Sequence, residues 1–164
     1  MHSPTVRRAL ERDLAGAGEV SVEAFVGDGH TRPDSPYVDL LRDAARRDRE
    51  AEVLVAVDDA GAVLGCVTFA PGGTAWADVA GPGEGEIRML AVGAAARGRG
   101  VGRALVAAAI GRSRELGLAG MAFSTRPSMT AAHRIYDALG FVRTPGRDWS
   151  AAPGMDLWVY TMRF

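Results

Sequence analysis

The chain contains no lysine; all 19 of its basic residues are arginine. That absence removes the triphosphate-binding P-loop, because GxxxxGK[ST] needs an ammonium group that reaches the terminal phosphates. Cysteine is nearly absent too. Cys66 is alone, so no disulfide forms within the chain. It sits in the apolar run Val63–Phe69 and reads as a small buried hydrophobe. The three histidines and Cys66 show no metal-ligand spacing, so no metal is expected. No apolar run approaches the roughly 18 residues of a membrane span. The first residues carry Arg7, Arg8, Glu11, Arg12 and Asp13 and no apolar segment, so no signal peptide is expected. The expected setting is the reduced cytoplasm. An excess of either charge is lacking as well. The formal net charge is −1, which gives no general affinity for nucleic acid.

What is present is ordinary for a folded protein: 164 residues, 48% apolar and 24% charged, enough for one domain over 1–164. No repeat, domain linker or low-complexity tail interrupts it. Thr5–Ala9 reads as a strand. Ala9–Phe25 has helical apolar spacing, weakened by Gly16 and Gly18. The turn-rich stretch 27–36 is a loop, and Ser35-Pro36 opens a helix Tyr37–Glu50 with apolar residues on one face and charges on the other. Ala51–Val57 and Ala62–Phe69 form an antiparallel hairpin across Asp58-Asp59-Ala60-Gly61. After the glycine-rich loop 71–85 come a strand Glu86–Val92, a helix from Arg99–Val101 to Leu116 and a strand Met121–Ser124. Thr130 caps a helix Ala131–Leu139 that Gly140 ends. Phe141–Arg143 begins a strand, 144–154 is a loop, and Met155–Phe164 is the last strand. About seven strands and four helices in this order predict an α+β sheet with helices on its faces, and one right-handed parallel crossover.

The stretch Glu86–Leu116 carries the chemistry. Between its strand and its helix stands Arg97-Gly98-Arg99-Gly100-Val101-Gly102. Glycine lets the backbone approach a ligand closely, and the unpaired amides and dipole of a helix start favour an anion, above all phosphate. A dinucleotide fingerprint is only approached: the third glycine is missing at its spacing, and a hairpin precedes in place of a βαβ unit.

This strand followed by Arg97-x-x-Gly100-x-Gly102 resembles motif A of the GNAT superfamily, the Gcn5-related N-acetyltransferases. Thr130–Phe141 (TAAHRIYDALGF) resembles its motif B. The resemblance spans most of the chain and implies the GNAT fold, a mixed, mostly antiparallel sheet whose fourth and fifth strands (Glu86–Val92 and Met121–Ser124) are parallel and splayed. It implies acetyl-CoA as cosubstrate. Leu90, Ala91 and Val92 would meet the pantetheine arm as an added strand. Gly98, Arg99, Gly100, Val101, Gly102 and Arg103 would surround the diphosphate, with Arg97 in the place of the family's Gln/Arg. Tyr136 would be the general acid that protonates the leaving thiolate; its alternative role is packing, with the hydroxyl at the surface. Motif B often has an asparagine seven residues before this tyrosine, where this chain has Met129; Ser128 or Thr130 are the replacements at hand.

The resemblance also implies a carboxylate base for the acceptor amine. Glu86 is the first candidate and Glu84 the second; the alternative for Glu86 is a pair with Arg88 on the same strand face. His30 and His133 are spare candidates, His133 reading as a surface or cofactor-rim residue. The acceptor would enter between 27–37 and 144–154, which places His30, Tyr37 and Trp149 as pocket residues; Trp149 reads equally as a residue packed under its loop. The function implied is direct transfer of an acetyl group to a primary amine of a small molecule or peptide, with no nucleic acid or membrane partner. A non-catalytic acyl-CoA-binding domain of the same fold is the alternative, and an acceptor other than nitrogen a third reading. A homodimer is common in that family.

Overall fold

The structure is a computed structural model and describes residues 3–164. In chain order it contains β1 (Thr5–Arg8), a 3-10 turn (Glu11–Asp13), α1 (Leu14–Gly27), α2 (Tyr37–Arg42), α3 (Ala44–Glu50), β2 (Glu52–Val57), β3 (Val63–Pro71) and β4 (Glu84–Val92). There follow α4 (Val101–Glu115), β5 (Gly120–Thr125), α5 (Thr130–Leu139), β6 (Val142–Arg143), β7 (Trp149–Ala152) and β8 (Met155–Arg163). One sheet runs β1-β2-β3-β4-β5-β8-β6, with β7 paired to β8 beside it. Every pairing is antiparallel except β4–β5. No helix among the described residues is long and apolar enough to cross a membrane.

Side chains alternate across the sheet and feed two cores. One holds Val67, Phe69, Ile87, Met121 and Phe123 against Leu105, Val106 and Tyr136 of α4 and α5. The other holds Val53, Val55, Cys66, Met89 and Ala91 against Ala17, Phe25 and Leu41 of α1 and α2. Cys66 is buried, as its surroundings in the sequence predict.

Three expectations are corrected. The helix expected over Tyr37–Glu50 is two helices. Asp43 leaves helical geometry (φ −85°, ψ 63°) and its side chain caps α3 by accepting the Arg46 amide hydrogen at 3.1 Å. Gly18, one of the two glycines that weaken the helical pattern, lies inside α1. A Cβ on it would stand 2.1 Å from the Arg42 carbonyl oxygen, so its bareness lets α2 end against α1. The loop 144–154 contains β7, an eighth strand, because Pro153-Gly154 turns the chain (Gly154 φ +76°) back onto β8. Thr130 is the first residue of α5 and not its cap; Met129 holds the cap position without a side-chain bond.

Arg47 is the other departure. It was placed on the charged face of its helix, yet it is fully buried. Its guanidinium donates to the Leu40 and Leu41 carbonyls at the end of α2, to Thr68 Oγ1 of β3 at 3.0 Å and to Ser21 Oγ of α1 at 3.3 Å.

Two features open the sheet. β4 and β5 pair only at Glu84–Gly120 and Gly85–Met121, then diverge. On its other side β4 bulges. Arg88 faces Thr68 and Ala91 faces Cys66, so Met89 and Leu90 share the space opposite Val67. Met89 takes a left-handed φ of +54°, the one such non-glycine among the described residues. A strained residue of this kind persists where the surrounding fold holds it. The edge of β4 that faces β5 is therefore unpaired from Glu86 onward.

Candidate active site

A groove of about 580 Å3 runs from the open β4 edge to the start of α4. Leu90, Val92, Arg97, Gly98, Gly100, Val101, Gly102 and Arg103 line it. The turn folds as it does because Gly98 (φ +73°) and Gly100 (φ +76°) occupy left-handed geometry, and Gly100 is the N-cap residue of α4. The first amides of α4 then have no carbonyl ahead of them and open onto the groove. Gly102 serves packing: a Cβ there would stand 2.8 Å from Ile135 Cδ1 on α5. Two residues predicted to meet the cofactor, one on the strand edge and one in the cradle, do not line the groove. Ala91 belongs to the core on the opposite face, and Arg99 is exposed beyond the groove wall. Arg97 is held by Asp28 at the end of α1, Nη2 to Oδ2, 2.7 Å. Sequence reasoning missed Asp28, since nothing local links it to a residue 69 positions away.

A second cavity, about 280 Å3, opens beside the groove at the splay. The two share Phe25, Leu90, Met129 and Ala132 as walls. Tyr37, Glu86, Arg88, Tyr136 and Trp149 line this second cavity. Trp149 is fixed by donating its indole N–H to Ser124 Oγ of β5 at 2.8 Å. His30, expected in the same pocket, lines the groove instead, its Nδ1 3.0 Å from Ser128 Oγ. Ser128, Met129 and Thr130 all border the groove. Burial lowers the pKa of His30.

Glu86 is 1% exposed, and its Oε1 accepts the amide hydrogens of Val79 and Ala80, each at 2.8 Å. Burial raises its pKa above the ordinary carboxylate range; the loop amides oppose that rise and the neighbouring Asp78 carboxylate adds to it. Glu86 does not pair with Arg88, which turns to Asp78 (3.6 Å) and lies over the Trp76 ring. Glu84, the second candidate base, is bound to Arg147 at 2.9 Å, and that bond holds its pKa down. It is absent from the cavity wall.

Tyr136 is buried, with its ring edge-on to Phe123 at 4.6 Å between centroids. Its ring is not at the surface, yet it forms part of the cavity wall. Burial drives the phenol pKa far up, and nearby Tyr160 adds to the shift, so the proton stays on at neutral pH. His133, one turn earlier, is not a surface residue either. Its Nε2 lies 3.2 Å from Thr125 Oγ1 and 3.1 Å from the Arg126 carbonyl, and its ring stacks on Trp158. Asp78, Arg126, Met155 and Leu157 also line the cavity. No motif marks them in the sequence; the 72–83 loop brings Asp78 there, the β7–β8 hairpin Met155 and Leu157, and the end of β5 Arg126.

The groove thus ends at the bare start of α4 and adjoins, at the split between β4 and β5, a second cavity that holds a carboxylate and a phenol. Residues 19–141 match the Acetyltransferase (GNAT) family, and the chain belongs to that family. It is 37% identical over 92 residues to an uncharacterized N-acetyltransferase of Schizosaccharomyces pombe, covering 56% of this chain and 52% of that protein. The match thus spans about half the length of that relative. A GCN5-related N-acetyltransferase from Kribbella flavida superposes with a TM-score of 0.75 at 27% identity, covering 99% of this chain and 98% of that one. The GNAT family N-acetyltransferase YhbS of Escherichia coli, in complex with CoA, gives 0.68 at 25% identity, covering 98% and 82%.

Proposed function

We propose that this protein transfers an acetyl group from acetyl-CoA to the primary amine of a small molecule or peptide, by direct attack in a ternary complex. The observation that carries this reading is the meeting of the two cavities at the β4–β5 splay, with Glu86 and Tyr136 in the wall of the second. The chain fits the cofactor. The left-handed Gly98 and Gly100 bare the amides for a diphosphate, and the unpaired β4 edge at Leu90 accepts an amide-bearing arm. When bound, acetyl-CoA supplies the thioester whose carbon–sulfur bond breaks as the acceptor nitrogen bonds to the acetyl carbon. Arg97 and Arg103 add positive charge beside the diphosphate amides. Glu86, held by the Val79 and Ala80 amides, takes the proton from the acceptor amine. Tyr136, which burial keeps protonated, gives its proton to the departing sulfur. The reading is tested by thiol release from acetyl-CoA across an amine panel. A protein that acetyl-CoA stabilises against heating, but that releases no CoA with any amine, is a binding domain and not an enzyme.

Two predictions concern the reacting groups. Tyr136→Phe keeps the aromatic packing and removes one proton. Turnover is expected to drop about 100-fold or more, while the acetyl-CoA Kd from calorimetry stays within twofold. Full turnover in this variant removes Tyr136 as the acid.

Glu86 serves as a base only when ionised, and its pKa is raised. kcat/KM is therefore expected to fall as pH drops through a value above the ordinary carboxylate range of about 4. Glu86→Gln is expected to be slow at every pH and to lose that acidic limb. An unchanged pH profile in the variant excludes Glu86.

A further inference from the structure

We infer that the acceptor is an amine that also carries a carboxylate on an apolar body, and that Arg126 is the residue that binds the carboxylate. The inference rests on the acetyltransfer reading and deepens it.

The second cavity is lined by charges of both signs: Glu86, Asp78, Arg88 and Arg126, the last just beyond the end of β5. The cavity's other cation is already engaged, since Arg88 is paired with Asp78 and lies over Trp76. Arg126 has no such partner: among the described residues it takes part in no ion pair, and its guanidinium lies 5.9 Å over the Tyr37 ring. A half-buried arginine resting on an aromatic face keeps its planar fork of donors for another group. A carboxylate accepts two parallel N–H bonds from that fork. Phe25, Met129, Trp149, Met155 and Leu157 line the same cavity. They suit an apolar body, and about 280 Å3 limits it to a small molecule or one residue of a longer one.

The arrangement selects among amines by sign. An amine placed toward Glu86 meets a base and a second carboxylate, Asp78. A second cationic group, as in a diamine, would meet Arg126 and be repelled. An uncharged tail would leave the guanidinium desolvated and unpaired, at a cost in binding.

The test compares acids with their uncharged counterparts. Wild-type protein is assayed for CoA release with L-leucine, L-phenylalanine and 6-aminohexanoate, with the corresponding carboxamides, and with 1,4-diaminobutane. At least one acid is expected to exceed its carboxamide by tenfold or more in kcat/KM. Arg126→Gln is expected to raise KM for that acid tenfold or more with a smaller change in kcat. It should leave the acetyl-CoA Kd unchanged and abolish the preference for the acid over its carboxamide, and Arg126→Lys should recover part of the loss. Equal use of acids and carboxamides, or preference for the diamine, overturns the inference while the acetyltransfer reading stands. Titration of the same acids into CoA-loaded wild-type and Arg126→Gln protein decides the point without turnover. Acid binding that Arg126→Gln abolishes supports the inference even where no CoA is released. Absence of acid binding to the wild type overturns it, whether or not acetyl-CoA itself binds.

Discussion

Gly100→Val is expected to yield a folded protein whose acetyl-CoA affinity is at least about 100-fold weaker, a loss of roughly 2.7 kcal/mol. Space is not the cause, because nothing lies within 4 Å of where a Cβ would stand. Conformation is. Gly100 has φ +76° as the N-cap residue of α4, and a β-branched side chain there is a genuine outlier costing about 1–2 kcal/mol or more. The chain relieves that strain by rotating the turn, which turns the first α4 amides away from the anion they would bind. The folded core is hardly touched, so the melting temperature without ligand should change little. Calorimetric titration with acetyl-CoA checks the first half, and a thermal melt the second. Gly102→Ala makes an informative companion. It presses a Cβ to 2.8 Å from the flexible end of Ile135 without changing the turn, and should weaken binding far less. Wild-type affinity in Gly100→Val would sink the cradle assignment.

The second large effect is on stability. Arg47→Met is expected to lower the free energy of unfolding by about 3–5 kcal/mol. Arg47 is fully buried, with no carboxylate among its hydrogen-bond partners. Its donors go to the Leu40 and Leu41 carbonyls that end α2, to Thr68 on β3 and to Ser21 on α1. A cation at a helix C-terminus also meets the negative end of the dipole. Methionine fills similar volume but leaves those carbonyls without a donor inside the core, at about 1–3 kcal/mol each. Burial lowers the Arg47 pKa, yet an arginine keeps its proton throughout the working range. Arg47→Lys is expected to recover little, because one ammonium does not span three elements. Urea unfolding measures the change; a loss below about 1 kcal/mol would show that the bonds formed are matched by the cost of burying the charge. The same residue anchors the end of α2, whose first residue Tyr37 lines the second cavity, so the variant should also bind acceptor more weakly.

Arg47 also shows where reading the sequence fails. Its position among Arg46, Asp48, Arg49 and Glu50 makes it one of five consecutive charged residues, and local pattern assigns it to solvent. Only the convergence of α1, α2 and β3 on one point makes it a buried tie. Glu86 carries the same lesson. The sequence offered a pair with Arg88, but the 72–83 loop folds over Glu86 and supplies two amides, while Arg88 turns to Asp78 and Trp76. His30 was placed by its segment and not by its neighbours; Ser128, far along the chain, draws it to the groove. The β7 strand could have been found from Pro153-Gly154 between two short stretches, a turn signal that was read as part of a loop.

The amino-acid sequence by itself determined the parts of this protein that depend on local backbone chemistry. Gly98 and Gly100 are glycines in left-handed geometry, Gly140 ends α5 at φ +95°, and the hairpin and the glycine-arginine turn follow from patterns a few residues long. Those patterns are legible because the forces behind them act within one or two turns of chain. The tertiary structure alone decided the depth of burial of Glu86 and Tyr136, the pairing of Arg97 with Asp28, the break of the second helix at Asp43 and the wall shared by the two cavities. Each depends on desolvation or on contact between residues distant in the chain. The turn is therefore written in the sequence, and the chemistry beside it is set by packing.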